Sequence, residues 1–548
     1  MRTRMICGLA AGLLSFASGA VAQNVDWAGH SWEVDRYKPE EFTPIGPFQG
    51  RNDVLKILLG DEGFAINRGG FGAGFYDTQG RKTTVNLPIG SFASAELYVP
   101  GSWAAQQATN WQSTGLWGST FKPTGPGTET VIGYPIIAFF NSALDNGNNG
   151  NAVADGGRIQ VFDDDTGEWH VVSSAVNFNA WNTLRFEIHA DRYEFYLNGK
   201  LVYVDTNIDK DPQAYLKEIF LNSKNNNSAE YAAFYANVLA ALLQDPTKFE
   251  IVGSVPGMTE YYQYSTIGDL ASRRGLQATE HFSPYDYVWM YGGGTTGQFD
   301  LSNSSSFDGT SYFARFGIDV IQPMESMRIG FTNSAGRAET ESDATGGSAD
   351  SDNYSAGAYV TYATRELYVD VIGEYAWGKW DVNVPGQTQA NLDVKTFVAS
   401  GEIGTSLWLA KGIRLIPNAS LLLLNSNYDD IAFNLVNVTY DTETSLIGRV
   451  GARFQYEVPT ALGGSRVYVG VSAVKDLAGD TTTIVQSPTF PGGNSTILSG
   501  GFEETAVQFA GGFDLTVAKA TRLYGDASYL TGGDADTFRG TGGFTFNW

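Results

Sequence analysis

Residues 367–377 read Leu-Tyr-Val-Asp-Val-Ile-Gly-Glu-Tyr-Ala-Trp. Leu367, Val369, Val371, Tyr375 and Trp377 fall on odd positions, whereas Asp370 and Glu374 fall on even ones. In an extended chain successive side chains point to opposite faces, so this stretch is a strand with one apolar and one acid-bearing face. The pattern recurs at Val507, Phe509, Phe513, Leu515 and Val517, with Gln508, Asp514 and Thr516 opposite. It recurs again at Val467, Val469, Val471 and Ala473. A water-soluble sandwich alternates too, but its strands average about 5–6 residues. Several runs here reach about 10 or more, enough to cross a bilayer at a tilt.

The C-terminal half divides into strands at 285–299, 308–321, 327–340, 352–364, 367–382, 393–408, 412–426, 438–458, 464–478, 504–518, 521–532 and 537–548. An even number of this size is what bacterial outer-membrane barrels use. Arg365-Glu366 and 518–521 are tight connections, whereas 341–351 and 477–503 are long and rich in Asp, Thr, Ser and Gly. Short turns at one rim and long loops at the other fit such a barrel. The last strand places Phe544, Phe546 and Trp548 on one face, ending on an aromatic suited to the membrane interface.

Three stretches carry a family resemblance. Glu402-Ile403-Gly404, followed by Leu415-Ile416-Pro417-Asn418-Ala419, resembles an acidic-x-Gly strand paired with a Leu-x-Pro strand. Gly448-Arg449-Val450-Gly451-Ala452-Arg453 resembles the Gly-Arg-hydrophobic-Gly-Ala-Arg strand downstream, and the end of the chain an aromatic-terminated last strand. In this order they resemble the autotransporter β-domain of Gram-negative outer membranes, over about half the chain. The resemblance implies a twelve-stranded barrel in outer-membrane lipid, with Phe544, Phe546 and Trp548 as the signal read by the barrel assembly machinery. Charged groups such as Glu402 and Arg449 are costly against lipid, so both should face the barrel lumen, where they hold the barrel in shape.

Composition narrows the rest. The 548 residues include 35 Lys+Arg, 59 Asp+Glu, 65 Gly and 13% aromatics, with a net charge of -24. That acidity argues against nucleic-acid partners, whose phosphates need a basic footprint. The aromatic content argues against a disordered chain. Residues 1–22 read as a secretory signal peptide: Arg2 and Arg4, then apolar Ile6 to Phe16, then Ala20-Val21-Ala22 before Gln23. The one cysteine, Cys7, lies within it, so the exported chain has no disulfide to rely on. No apolar run after the signal is long enough for a membrane helix, and residence in lipid must come from a closed barrel.

Residues 23–250 have shorter strands broken by turns such as Asp163-Asp164-Asp165-Thr166-Gly167. Leu184, Phe186 and Ile188 alternate with polar residues, Asp191-Arg192 turns the chain, and Tyr193 to Leu197 follows. Asn198-Gly199 is a preferred two-residue hairpin turn, after which Leu201 to Val204 returns. Phe186-Glu187-Ile188 and Tyr196-Leu197-Asn198-Gly199-Lys200 resemble the concanavalin-like or laminin-G-like jelly roll. The resemblance implies a globular, lectin-like passenger. The expected fold class is therefore all-β: an N-terminal antiparallel β-sandwich (jelly roll) followed by a C-terminal 12-stranded transmembrane β-barrel.

Chemistry is harder to place in this half. A Glu-x-Asp-x-x-Glu strand, as in laminarinase-like enzymes, does not occur; Glu33-Val34-Asp35 is the nearest start, with Glu40 and Glu41 at the wrong offsets. His30, His170, His189 and His281 form no zinc or triad motif, and His189 reads as a surface strand residue beside Asp191. No catalytic residue and no metal set is expected. Trp103, Trp111 and Trp117 cluster among polar residues and are the candidate carbohydrate-binding platform, or else core residues. Asp145-Asn146-Gly147-Asn148-Asn149-Gly150-Asn151 offers oxygen ligands for calcium, or a simple turn.

Residues 251–280 join the halves. Asp245-Pro246 and Val255-Pro256-Gly257 interrupt regular structure, and 258–274 reads as a helix capped by Gly275. In the resembled family a helix threads the barrel, and here Asp269, Arg273 and Arg274 suit a hydrated lumen. Self-cleaving members of that family cut at an Asn-Asn pair in the helix. This helix has none, since Asn225-Asn226-Asn227 lies upstream, so the passenger at 23–250 should stay joined to the barrel at 281–548. The expected function is export and surface display of a carbohydrate- or surface-binding passenger. The alternatives are a displayed polysaccharide hydrolase, or a channel with a periplasmic N-terminal domain.

Overall fold

The computed structural model describes residues 23–25, 30–60, 78–107, 111–143, 156–172, 175–206, 211–225, 230–279, 288–301, 306–460, 464–478, 482–498, 504–518, 521–533 and 535–546. The segment read as a signal, the asparagine-rich stretch at 145–151, His281 and Trp548 lie outside them. The chain forms two compact units, residues 1–244 with 489–494, and residues 245–488 with 495–548.

In the first unit two antiparallel sheets enclose one core. One sheet runs in the order Lys200–Asp205, Tyr193–Leu197, Ala180–Ile188, Ser91–Val99, Tyr231–Leu242, Arg51–Leu59, Glu41–Phe48. The other runs Glu168–Val171, Arg158–Asp163, Ile136–Phe140, Gln112–Gly125, Tyr215–Asn225, Gln79–Pro88, Glu33–Val34. Period two decides what lies between them: Leu97, Leu184, Phe186 and Phe195 from one sheet meet Leu116, Ile137, Phe139 and Leu221 from the other. Asn198 (φ 52°) and Gly199 (φ 78°) both take the left-handed conformation that a tight hairpin turn of matching twist requires. Inside the core the Thr114 hydroxyl lies 2.6 Å from those of Ser223 and Tyr235, which keeps these polar groups paired where water is excluded.

The second unit is a closed antiparallel barrel of twelve strands: Val288–Asp300, Ser306–Met324, Met327–Glu341, Ser348–Ala363, Leu367–Asn383, Ala390–Thr405, Ile413–Tyr428, Glu443–Val458, Ser465–Asp476, Ala506–Ala518, Thr521–Thr531 and Ala535–Phe546. The first strand pairs with both the second and the last, so the twelve strands close on themselves without a free edge strand among them, and the short Leu407–Ala410 extends one hairpin at the rim. Alternation sorts the side chains. Val371, Tyr375 and Trp377 are exposed outward, whereas Asp370 and Glu374 are each only 3% exposed. Among the described residues no helix is long and apolar enough to cross a membrane.

Three expectations are corrected. The run 438–458 is two strands, Val436–Tyr440 and Glu443–Val458. The first of these joins Ile431–Phe433, Thr483–Gln486 and Ser495–Leu498 in a separate four-stranded sheet, so 477–503 is not a plain loop. Lastly, Pro256 does not interrupt regular structure. It lies inside helix α1, Glu250–Ile267, which is followed after Gly268 by α2, Leu270–Arg274. Proline has no N–H to give the Val252 carbonyl, and the Tyr440 hydroxyl donates to that oxygen instead at 3.2 Å.

At the turn after Asp163, the Asp163 carboxylate accepts the Thr166 N–H at 2.9 Å and the Tyr203 hydroxyl at 2.6 Å. Its neighbour Asp164 has its pKa raised to about 6, first by burial and then by the nearby charges of Asp205, Asp165 and Asp163. A carboxyl whose folded pKa exceeds its unfolded value near 3.8 opposes folding as it ionises. That opposition is absent below the lower value and complete above the higher. Asp164→Asn should raise the unfolding temperature of this unit by a few degrees at pH 7.5, with the difference vanishing near pH 4; calorimetry at the two pH values checks it.

Candidate functional site

Helix α1 is buried on all sides, with fifteen of its eighteen residues enclosed, as a helix inside a barrel must be. Its end is tied to the wall through polar groups. Gly268, with φ 55°, breaks the helix, and Asp269 caps α2 by accepting the Ser272 N–H at 2.8 Å. The other Asp269 oxygen takes Arg453 at 2.6 Å and Arg449 at 3.3 Å from one barrel strand. Glu402, on another strand, accepts the Leu270 N–H at 2.9 Å and the Tyr368 hydroxyl at 2.7 Å. Arg274 forms a two-pronged pair with Asp319 at 3.0 and 2.7 Å, and Arg273 pairs with Asp370. Arg315 and Glu374 make a second fork at 2.7 and 2.9 Å between strands. Glu402 and Arg449 thus both face the lumen, where their charges meet partners instead of lipid. The same is true of Asp269, Arg273 and Arg274.

The three candidate tryptophans lie elsewhere than in exposed loops. Trp103 is 6% exposed and belongs to the core between the sheets, packed on Phe139. Trp111 and Trp117 are 1% and 7% exposed, in a second cluster with Ile136, Phe140 and Phe220 on the outer side of one sheet. Enclosed indoles have no free face for a sugar, so the platform expected at these positions is not formed; apolar packing claims them.

A different set comes together on the outer face of the other sheet. Tyr98 lies opposite Trp181 in one strand pair and opposite Phe234 in another, so three rings stand abreast across three strands. Phe48 stacks on Phe234 at 4.3 Å and meets Trp181 edge-on at 6.3 Å. The Trp181 indole is half-buried, its N–H held by the Gln49 carbonyl at 2.9 Å. Beside the rings, Arg51 forks onto Glu96 at 2.5 and 2.9 Å, and the exposed Asn237 amide donates to Glu96 at 2.8 Å. Hydrogen bonding to Glu96 raises the Arg51 pKa. Asn237, with φ 48°, sits at a register shift between Ala236 and Leu239 that turns its amide toward the patch. The ion pair makes the patch neutral overall, while its amide and guanidinium edges stay fixed. Sequence reading missed this set because positions 48, 98, 181 and 234 become neighbours only through strand pairing.

Residues 288–528 match the model of one protein family, the autotransporter beta-domain. Among solved structures, the transport unit of the autotransporter AIDA-I from Escherichia coli is 15% identical, over 54% of this chain and 99% of that one, with a TM-score of 0.43. The translocator domain of the autotransporter NalP from Neisseria meningitidis is 13% identical, over 54% and 99%, with a TM-score of 0.44. LamAcat from Zobellia galactanivorans is 12% identical, over 41% and 98%, with a TM-score of 0.23. No curated protein sequence matches the chain. The C-terminal part of the chain is an autotransporter β-domain, a family whose barrels are put into the outer membrane by the assembly machinery and carry a surface-exposed passenger.

Removing one partner of a buried ion pair leaves the other charge uncompensated, at a cost of about 3–5 kcal/mol. Asp269→Asn should therefore loosen α2 from Arg449 and Arg453. Planar-bilayer recordings should show higher single-channel conductance than wild type, and the heat-modifiable gel shift should begin at lower temperature. Arg337→Gln, at an exposed pair with Glu339 and Asp350, should change neither.

Proposed function

We propose that the protein ahead of this autotransporter β-domain is a lectin-like passenger, held permanently at the cell surface and binding neutral carbohydrate. The observation that carries the binding reading is the set of half-buried rings Phe48, Trp181 and Phe234, packed around the buried Tyr98, beside Arg51, Glu96 and Asn237. Flat aromatic faces pack against the C–H faces of sugar rings, and fixed amide, guanidinium and carboxylate edges select hydroxyl positions. Because Arg51 and Glu96 cancel, the patch favours a neutral ligand over a strongly anionic one.

Permanent attachment is supported by the ion pairs that hold α2 and by the lack of an Asn-Asn pair in the helices. A helix secured in the lumen also speaks against an open channel. A hydrolase would need two carboxylates flanking a bound sugar, and the carboxylates beside these rings are committed, Glu96 to Arg51 and Glu41 to Lys56.

Whole cells displaying the full chain, screened against immobilised neutral and acidic polysaccharides, test this reading. A neutral glycan should be retained, and Trp181→Ala should weaken retention about tenfold or more, the loss of one stacking face. Trp117→Phe, at an enclosed position, should leave retention unchanged. No binding by wild type, or equal binding by Trp181→Ala, would sink the proposal.

A further inference from the structure

We infer that Glu187, His189 and Glu194 form a binding site for a divalent transition metal of the zinc class. Glu187 and Glu194 face each other across paired strands, and His189 follows Glu187 on the same outward side. One ligand atom from each of the three lies within 4.8 Å of the others. His189 Nε2 is 3.4 Å from Glu187 Oε2 and 3.4 Å from Glu194 Oε2.

That spacing decides between two readings. An N–H···O hydrogen bond closes to about 2.7–3.2 Å. Here neither His189 Nε2 nor Glu187 Oε2 has a hydrogen-bond partner, although both atoms are buried and the Glu187 side chain is 0% exposed. Around a tetrahedral zinc with bonds of about 2.0–2.1 Å, adjacent ligand atoms stand roughly 3.4 Å apart. His189 Nε2 is therefore spaced from each carboxylate oxygen as two ligands of one ion are, and the two carboxylates offer oxygens within 4.8 Å of each other.

The surrounding groups fix the carboxylates without using the inward oxygen of Glu187. Arg185, at 2.8 Å, and the Gly492 N–H, at 2.5 Å, both take Glu187 Oε1. Arg192 holds Glu194 Oε1 and the Tyr196 hydroxyl holds Oε2, each at 2.6 Å. Such outer partners orient metal-ligating carboxylates and tune their affinity. Because Arg185 and Arg192 already balance both carboxylates, moderate affinity is expected. The His189 and Glu194 side chains are 20% and 13% exposed, so the cluster borders solvent, from which water could complete an ion's coordination. The imidazole selects against calcium and magnesium, which take oxygen ligands.

The experiment titrates Co2+ into the full-length protein in detergent, followed by its visible absorption, with Zn2+ as competitor. Wild type should take up one equivalent with the intense bands of a tetrahedral site, and Zn2+ should abolish them. His189→Gln should remove the bands, and Glu194→Gln should weaken binding about tenfold or more. His170→Gln should bind like wild type. Circular dichroism and the heat-modifiable shift establish that each variant is folded. No uptake by wild type, unchanged uptake by folded His189→Gln, or displacement of Co2+ by equimolar Ca2+ would overturn the site. Glycan retention by Trp181 is read separately, so failure of one proposal leaves the other standing.

Discussion

A backbone N–H or C=O left unpaired in hydrocarbon costs several kcal/mol, so a sheet that enters the membrane has to close on itself. Closure between Val288–Asp300 and Ala535–Phe546 meets that requirement, and much else follows from it. Once the sheet is closed, one face of every strand meets lipid and the other the lumen. Phe331, Val450 and Val469 are among the most exposed apolar residues of the chain, while Arg315, Asp319 and Glu374 turn inward. A lumen lined with charge is then able to hold a helix that carries charge of its own.

The helix is adapted to that enclosure. An interior proline would normally leave a buried carbonyl unpaired, yet Tyr440, from the small sheet beyond the barrel strands, supplies the missing donor. Asp269 does two things at once: it caps α2 and receives two wall arginines. Each pair is buried, so its Coulomb gain is set against desolvation, and its main effect is to penalise any arrangement that separates the partners. The lumen network thus specifies a position for the helix more than it adds stability.

The sandwich is held by a different force. With no cysteine beyond residue 7, its two sheets depend on the apolar surface enclosed between them. That core absorbs Trp103, while Trp111 and Trp117 pack in a second cluster, and the rings around Trp181 lie on the outer face of the first sheet. There the pattern is of rings and paired charges near Trp181 and of carboxylates around an imidazole near His189.

Period two was fully legible in the chain: Leu367 to Trp377 declare their faces, and a period of two leaves no freedom about which side a residue takes. The twelve barrel strands, the lumenal sides of Glu402 and Arg449, the Asn198-Gly199 hairpin and Gly275 as a helix stop are all local properties of this kind. Burial is not local. Whether Trp117 is covered, whether Pro256 can be rescued by Tyr440, and whether His189 lies by Asp191 or between two glutamates depend on neighbours brought in by strand register. Register pairs residues tens to hundreds of positions apart, so only the tertiary structure could place Phe48, Tyr98, Trp181 and Phe234 on one patch.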